Sequence, residues 1–284
     1  MEVIEKVEVV QRRCEDLRLD GKILALVPTM GFFHEGHLEL MRVARRHADV
    51  VIISIFVNPT QFGPSEDFAA YPRDMEGDLD KAGSVGVDIA FTPRVEEMYP
   101  EGFQTTVSVA NLANHLCGLS RPGHFQGVTT VVAKLFNIAK PHFAVFGQKD
   151  FQQLTVITRM VKDLNMDIQI VGVPTYREPD GLAMSSRNTY LSEAERKSAL
   201  ALKKSLDAAS GLYGRGERDA AKMKAAMEEI ILAHPYTKID YVAVCDPVSL
   251  ESVETIPDEA VVALAVRVGK TRLIDNCLLG RDRN

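Results

Sequence analysis

Two apolar runs constrain this chain more than any other feature: Ile23-Leu24-Ala25-Leu26-Val27 and Val50-Val51-Ile52-Ile53-Ser54-Ile55-Phe56-Val57. Both are short, and the second is rich in β-branched residues. Runs of that kind suit strands covered on both faces, as in a parallel sheet. Between them Leu38-Glu39-Leu40-Met41-Arg42-Val43-Ala44-Arg45-Arg46 repeats its apolar positions at helical spacing. Strand, helix, strand in that order predicts a right-handed βαβ unit. The first run ends in Pro28-Thr29-Met30-Gly31-Phe32-Phe33-His34-Glu35-Gly36-His37, and the second in Asn58-Pro59-Thr60-Gln61-Phe62-Gly63. Ligand crevices of open parallel sheets lie beyond the carboxyl ends of the strands. Both polar turns are therefore placed on the edge where a site belongs.

The pattern continues along the chain. Residues 3–19 have helical spacing closed by Gly21, and an acidic helix is expected over 74–82 before a short strand at 88–91. Residues 93–127 are loop-rich, and loops of that length in a compact domain tend to be functional or mobile. Helical spacing returns at 128–138. A strand at 142–146 then ends in a third polar turn, Gly147-Gln148-Lys149-Asp150, followed by a helix, a strand at 168–173 and a polar connection to Asn188. Beyond Leu191 the texture changes. Ser192-Glu193-Ala194-Glu195 is a capping-box sequence opening a helix to about residue 209. A second helix follows over 217–233, then three candidate strands at 240–245, 260–266 and 271–276. The expected fold class is α/β: a Rossmann-like parallel sheet over residues 1–175, catalytic and nucleotide-binding, with a smaller C-terminal α+β domain over 176–284 acting as a lid.

A formal charge of −6 leaves no electrostatic footprint for nucleic acid, and no long Lys/Arg cluster supplies one locally. Cys14, Cys117, Cys245 and Cys277 are scattered without CxxC or metal-ligand spacing, which reads as thiols in a reducing cytosol. The amino terminus is charged and has no secretory apolar core. No apolar run approaches the ~20 residues needed to span a bilayer. The expectation is a soluble, cytoplasmic protein with no nucleic-acid or membrane partner.

His34 and His37 carry the sharpest chemical signal. Their i, i+3 spacing differs from the i, i+4 pair of a zinc-binding helix, and no third ligand is evident. Two readings remain: plain polar residues at a helix start, or imidazole donors added to a helix N-terminus that already suits phosphate. In the second, Gly36 removes a side chain where a nucleotide approaches. The stretch resembles the HxGH signature of the nucleotidylyltransferase superfamily. More distant blocks narrow the resemblance: Phe56-Val57-Asn58-Pro59-Thr60-Gln61-Phe62, Ala70-Tyr71-Pro72-Arg73, Phe146-Gly147-Gln148-Lys149-Asp150-Phe151-Gln152-Gln153 and Gly181-Leu182-Ala183-Met184-Ser185-Ser186-Arg187-Asn188. Together with Pro28-Thr29-Met30-Gly31 they are similar to the pantoate–β-alanine ligase family, over residues 22–191 and more weakly beyond.

The resemblance implies condensation of (R)-pantoate with β-alanine through a pantoyl adenylate, giving pantothenate, AMP and pyrophosphate. A carboxylate nucleophile with a reference pKa near ~4 is already ionised at neutral pH. The first step then needs positioning and positive charge around the triphosphate rather than a base. By resemblance His34, His37, Lys149, Ser185, Ser186 and Arg187 are the catalytic set, the last three as a mobile loop closing over the phosphates. Read from spacing alone, that loop is equally an ordinary polar turn with one basic residue. ATP would further touch Pro28, Thr29, Met30, Gly31, Phe146, Gly147, Gln148, Asp150, Val173 and Met184. Gln61 and Gln153 would hold pantoate, with Met30, Asn58 and Arg121 as further substrate contacts: Met30 as an apolar wall, unless it is simply core, and Arg121 for the β-alanine carboxylate. ATP needs Mg²⁺ to offset its charge, for which Asp78 is the candidate carboxylate. A homodimer is also implied. The rival readings are a nucleotidylyltransferase that releases an adenylated or cytidylylated product, and a nucleotide-binding regulatory module without turnover.

Overall fold

The doubly covered strands are present in a computed structural model, which describes residues 1–64, 66 and 68–280. Strand β1 (Glu2–Ile4) and helix α1 (Val7–Leu19) precede β2 (Leu24–Thr29), α2 (Glu35–His47) and β3 (Val50–Ile55). Then come α3 (Met75–Ser84), β4 (Ile89–Phe91), the single-turn helices α4 (Val95–Met98) and α5 (Cys117–Ser120), and the long α6 (His124–Ala139). β5 (Phe143–Gly147), α7 (Phe151–Asp163) and β6 (Gln169–Val173) complete the first unit. All of its strand pairs are parallel, in the order β1-β4-β3-β2-β5-β6. From β2 the chain builds outward through β3 and β4, then returns to place β5 and β6 on the other side. The order reverses between β2 and β5, and a crevice opens at that switch point.

Period-2 alternation with cover on both faces explains why β2 up to Pro28 and all of β3 but Ser54 are apolar. Leu24, Leu26 and Ile52 face a core with α1, α6 and α7, whereas Ala25, Val27, Val51 and Ile53 face another with α2 and α3. Every residue of β3 is buried. The amino terminus corrects the expectation of one helix over 3–19. Residues 2–4 form an edge strand, with Val3 opposite Ala90, and the helix begins at Val7. A three-residue edge strand is too short to show its own periodicity, and Val3 happened to fit the helical one.

The C-terminal unit consists of α8 (Glu193–Gly214), α9 (Ala220–Leu232) and an antiparallel meander of β7 (Thr237–Cys245), β8 (Ala260–Val268) and β9 (Thr271–Leu279). The capping box is made: Ser192 Oγ accepts from Glu195 N–H at 3.3 Å, and the Glu195 carboxylate accepts from Ser192 N–H at 2.9 Å. Both faces of this sheet are apolar. Val262, Leu264 and Val266 pack on Leu202, Leu206 and Met227 of its own helices. Val261 and Ala263, with Tyr241, Ile274 and Leu278, pack on Leu112, Phe125 and Val156 of the first unit. An apolar seam thus docks the second sheet beside the switch point. Among the described residues no helix is long and apolar enough to cross a membrane.

Candidate active site

The turn after β2 is held in an unusual backbone shape. Gly31 has φ +83 and Phe32, a non-glycine residue, φ +54, two successive left-handed residues. Asp78, 1% exposed on α3, stabilises this turn: its carboxylate accepts N–H bonds from Phe33 at 2.5 Å and Phe32 at 2.6 Å. A Cβ on Gly31 would lie 2.9 Å from the Asp78 carboxylate. Burial raises the Asp78 pKa, against those two bonds, which lower it. Expected as a magnesium ligand, Asp78 instead has both oxygens engaged in shaping the turn and does not line the cavity.

The turn delivers His34 to the N-cap of α2 and His37 to its first turn. The two rings stack with centroids 4.0 Å apart. His37 Nδ1 accepts from the His34 backbone N–H at 3.3 Å, which leaves the ring proton on Nε2. Burial, with the Lys149 ammonium adding to it, holds His34 down at about 4. Burial, His34 and nearby lysines hold His37 well below its usual value. Both imidazoles are neutral at pH 7. The Nδ1 of His34 is buried without a hydrogen-bond partner. Gly36 is kept small by the His34 ring, 3.0 Å from where a Cβ would sit, rather than by open space.

The turn after β5 faces them across the switch point. Gly147 has nothing within 4 Å of where its Cβ would stand, and Lys149 lies 3.9 Å from the Asp150 carboxylate. From the connection after β6, Met184 and Ser186 reach the first turn. Met184 Sδ accepts from Gly36 N–H at 3.3 Å, and Ser186 Oγ donates to the Phe32 carbonyl at 3.4 Å. Ser185 Oγ accepts from Arg187 N–H, and the Arg187 guanidinium stands 5.9 Å from the Tyr71 ring centre.

These groups enclose a cavity of about 220 Å³. It is lined by Pro28, Thr29, Met30, His34, His37, Asn58, Gln61, Phe146, Gly147, Lys149, Asp150, Gln153, Val173, Met184, Ser185, Ser186 and Arg187. Gly31, Gln148 and Asp78 stand outside it. Asn58 is 1% exposed and fully used: its Nδ2 donates to the Gln61 side chain and the Gly127 carbonyl, and its Oδ1 accepts from Tyr99 and Thr60. It orients Gln61, whose Nε2 points to Met30 Sδ at 3.3 Å. Arg121 grips Glu66 with two bonds of 2.7 and 2.5 Å and donates to the Gln61 carbonyl. It borders a larger cavity of about 880 Å³ beside the second sheet, with Nε and Nη2 of its guanidinium turned to Glu66.

The sequence reading missed the apolar wall of Val131, Val132 and Leu135 on α6, and Tyr176 opposite. A core helix and a site helix have the same periodicity, so no signal separated them. Of the two adjacent glutamines on α7, Gln153 lines the cavity. Gln152 is buried and bonds Leu112, His115 and Cys117. Among the described residues there is no group of three or more His, Cys, Asp or Glu that could hold a metal ion. The site combines neutral imidazole donors, Lys149 and Arg187 with amide side chains; of the carboxylates that line it, Asp150 lies 3.9 Å from Lys149, and Glu39 pairs with Arg42 and Arg46. That set suits an already ionised carboxylate attacking a phosphorus.

Comparison with known proteins gives the same direction. A profile of the Pantoate-beta-alanine ligase family matches residues 2–278. A pantothenate synthetase of Geobacter sulfurreducens is 56% identical over 283 residues, covering 100% of each chain. One from Thermotoga neapolitana is 55% identical over 280 residues, 99% of this chain and 100% of that one. The crystal structure of pantothenate synthetase from Thermus thermophilus superposes with a TM-score of 0.92 at 45% identity, covering 98% of this chain and 99% of that one. A Francisella tularensis pantoate-beta-alanine ligase, crystallised with beta-gamma ATP and beta-alanine, gives 0.80 at 33% identity, covering 98% and 97%.

Proposed function

This chain belongs to the pantoate-beta-alanine ligase family, and from that premise we propose how its own residues divide the work. The enzyme uses ATP to join pantoate and β-alanine through pantoyl adenylate, giving pantothenate. A pantoate carboxylate oxygen forms the new bond to the α-phosphorus, and the bond to the bridging oxygen of pyrophosphate breaks. The β-alanine amine then attacks the acyl carbon, and AMP leaves with the electron pair of the broken C–O bond.

In our reading Gln61 and Gln153 hold the pantoate carboxylate and hydroxyls, with the dimethyl carbon against Met30, Val131 and Val132. Amide donors orient a carboxylate without the strong ion pair that would blunt its nucleophilicity. His34, His37 and Lys149 take the phosphates, where charge gathers as pyrophosphate departs. Gly147 and Asp150 receive the ribose side of ATP, and Val173 and Met184 the base. Ser185, Ser186 and Arg187 close over the triphosphate as part of a C-terminal lid unit beginning at residue 176. Mg²⁺ brought with ATP would offset the triphosphate charge and would need few ligands from the chain, since phosphate oxygens and water could hold most of it. A homodimer working in the cytoplasm completes the proposal.

One observation carries this reading: the turns after β2 and β5 and residues 184–187 converge with Gln61 and Gln153 on a single cavity at the switch point. The test is isotopic exchange between pyrophosphate and ATP. Exchange should need pantoate and Mg²⁺ and proceed without β-alanine. Exchange that is absent, or indifferent to pantoate, would overturn the reading.

A further inference from the structure

Alternation along β9 places Ile274, Asn276 and Leu278 on the face that meets the first unit, with Leu273 and Cys277 on the other. Ile274 and Leu278 join the apolar seam. Asn276, 8% exposed between them, is a polar residue in an apolar position. Its Nδ2 donates to the backbone carbonyls of both Gln148 and Lys149, at 2.9 Å each. Those carbonyls belong to the turn after β5 that carries Lys149 into the cavity. The preceding residue, Asp275, is 3% exposed and pairs with Arg177 through bonds of 2.7 and 3.0 Å, at the root of the connection bearing residues 184–187. Asp275 also accepts the Asn276 backbone N–H at 2.8 Å, tying the two anchors together.

We infer that Asn276 is a positioning residue for adenylate formation: its amide fixes the turn from which Lys149 reaches the phosphates. A lysine has a long, flexible stem, so its ammonium can be placed accurately only if its backbone is held. An error of about 1 Å at a reacting centre can cost on the order of a hundredfold in rate. Both protons of the Asn276 amide are spent on this turn, and an apolar side chain would fill the seam better, so packing alone does not account for the residue. The inference rests on the role assigned to Lys149 above. It adds that a residue of the second sheet, about 130 positions later in the sequence, sets the geometry of the first step and not of the second.

The experiment measures the two half-reactions separately in single turnovers: ATP plus pantoate, and preformed pantoyl adenylate plus β-alanine. Asn276→Ala is expected to slow the first by roughly ten- to a hundredfold and to leave the second within about twofold. Asn276→Asp, of the same size, turns a carboxylate toward the two carbonyls. It should be slower than Asn276→Ala at pH 8 and recover relative to wild type as the pH falls, because a protonated carboxyl can again donate. In a Lys149→Ala background, adding Asn276→Ala should change the first step by less than about twofold, since the anchor then has nothing to aim. Equal losses in both half-reactions, or a full additional loss in the Lys149→Ala background, would overturn the inference. Near-wild-type adenylation by Lys149→Ala alone would overturn the Lys149 assignment and this inference with it.

Discussion

Burial keeps the His34 imidazole neutral at pH 7, so in the proposed reading it would meet a phosphate as a neutral donor. Burial and Lys149 hold His34 at about 4, against a usual value of 6.5. Unfolding releases it to that usual value, so between these limits the unfolded chain binds more protons than the folded one. Stability therefore falls as the pH drops from 6.5 toward 4. His124, also held at about 4 by burial and Arg121, acts in the same direction. The thermal midpoint should decline through that window, and His34→Gln should remove part of the slope. For catalysis, His34→Ala or Lys149→Ala should slow single-turnover adenylate formation at least a hundredfold, about 3 kcal/mol. Gln61→Ala should raise the KM for pantoate about tenfold or more and move that for ATP little; the reverse pattern would place Gln61 on the nucleotide. At this scale much of the site was legible, because His34, His37, Lys149 and the Ser185–Arg187 stretch stand in recognisable blocks. The packing around Asp78, Asn58 and Arg121 was not legible, because nothing local shows that a carboxylate 46 positions away accepts the Phe32 amide, or that Arg121 is paired with Glu66.

The elements themselves follow from periodicity. The apolar runs became β2 and β3 and their polar ends border the candidate site, because a strand buried on both faces is mostly apolar and polar turns gather at the carboxyl edge of the sheet. What periodicity does not carry is the distance between elements that are remote in sequence. The turn at 59–61 lies so close on α6 that a Cβ at Gly127 would meet the Thr60 carbonyl oxygen at 2.4 Å and the Gln61 Cα at 2.7 Å. Gly127→Ala should push that turn off its helix, raising the KM for pantoate more than that for ATP and lowering the thermal midpoint. An unchanged pantoate KM would show that the turn yields without moving Gln61. In the sequence Gly127 stood at the end of a loop-rich stretch and was indistinguishable from a turn glycine.

Over the whole molecule, the two units share one boundary in which apolar packing and catalytic geometry coincide. The seam of Leu112, Phe125 and Val156 against Val261 and Ala263 packs the second sheet on the first unit. Unfolding should accordingly register as a single calorimetric transition. Val156→Asp, at a fully buried position, should destabilise by about 3 kcal/mol or more and split that transition in two. A single, unshifted transition would mean that the seam does not couple the units. The second unit's existence was readable from its change of texture after Leu191. Its docking face was not, since both faces of β8 are equally apolar.

Met184 closes the account of the boundary. Its sulfur rests on the Gly36 amide at the start of α2, the kind of N–H that a phosphate oxygen accepts best. A thioether is a feeble acceptor. The amide is thereby shielded from a full desolvation penalty by a bond that is itself weak. The same residue ties the connection bearing residues 184–187 to the start of α2, as Ser186 does at the Phe32 carbonyl, so two remote stretches of chain share one corner of the cavity through contacts that are individually weak.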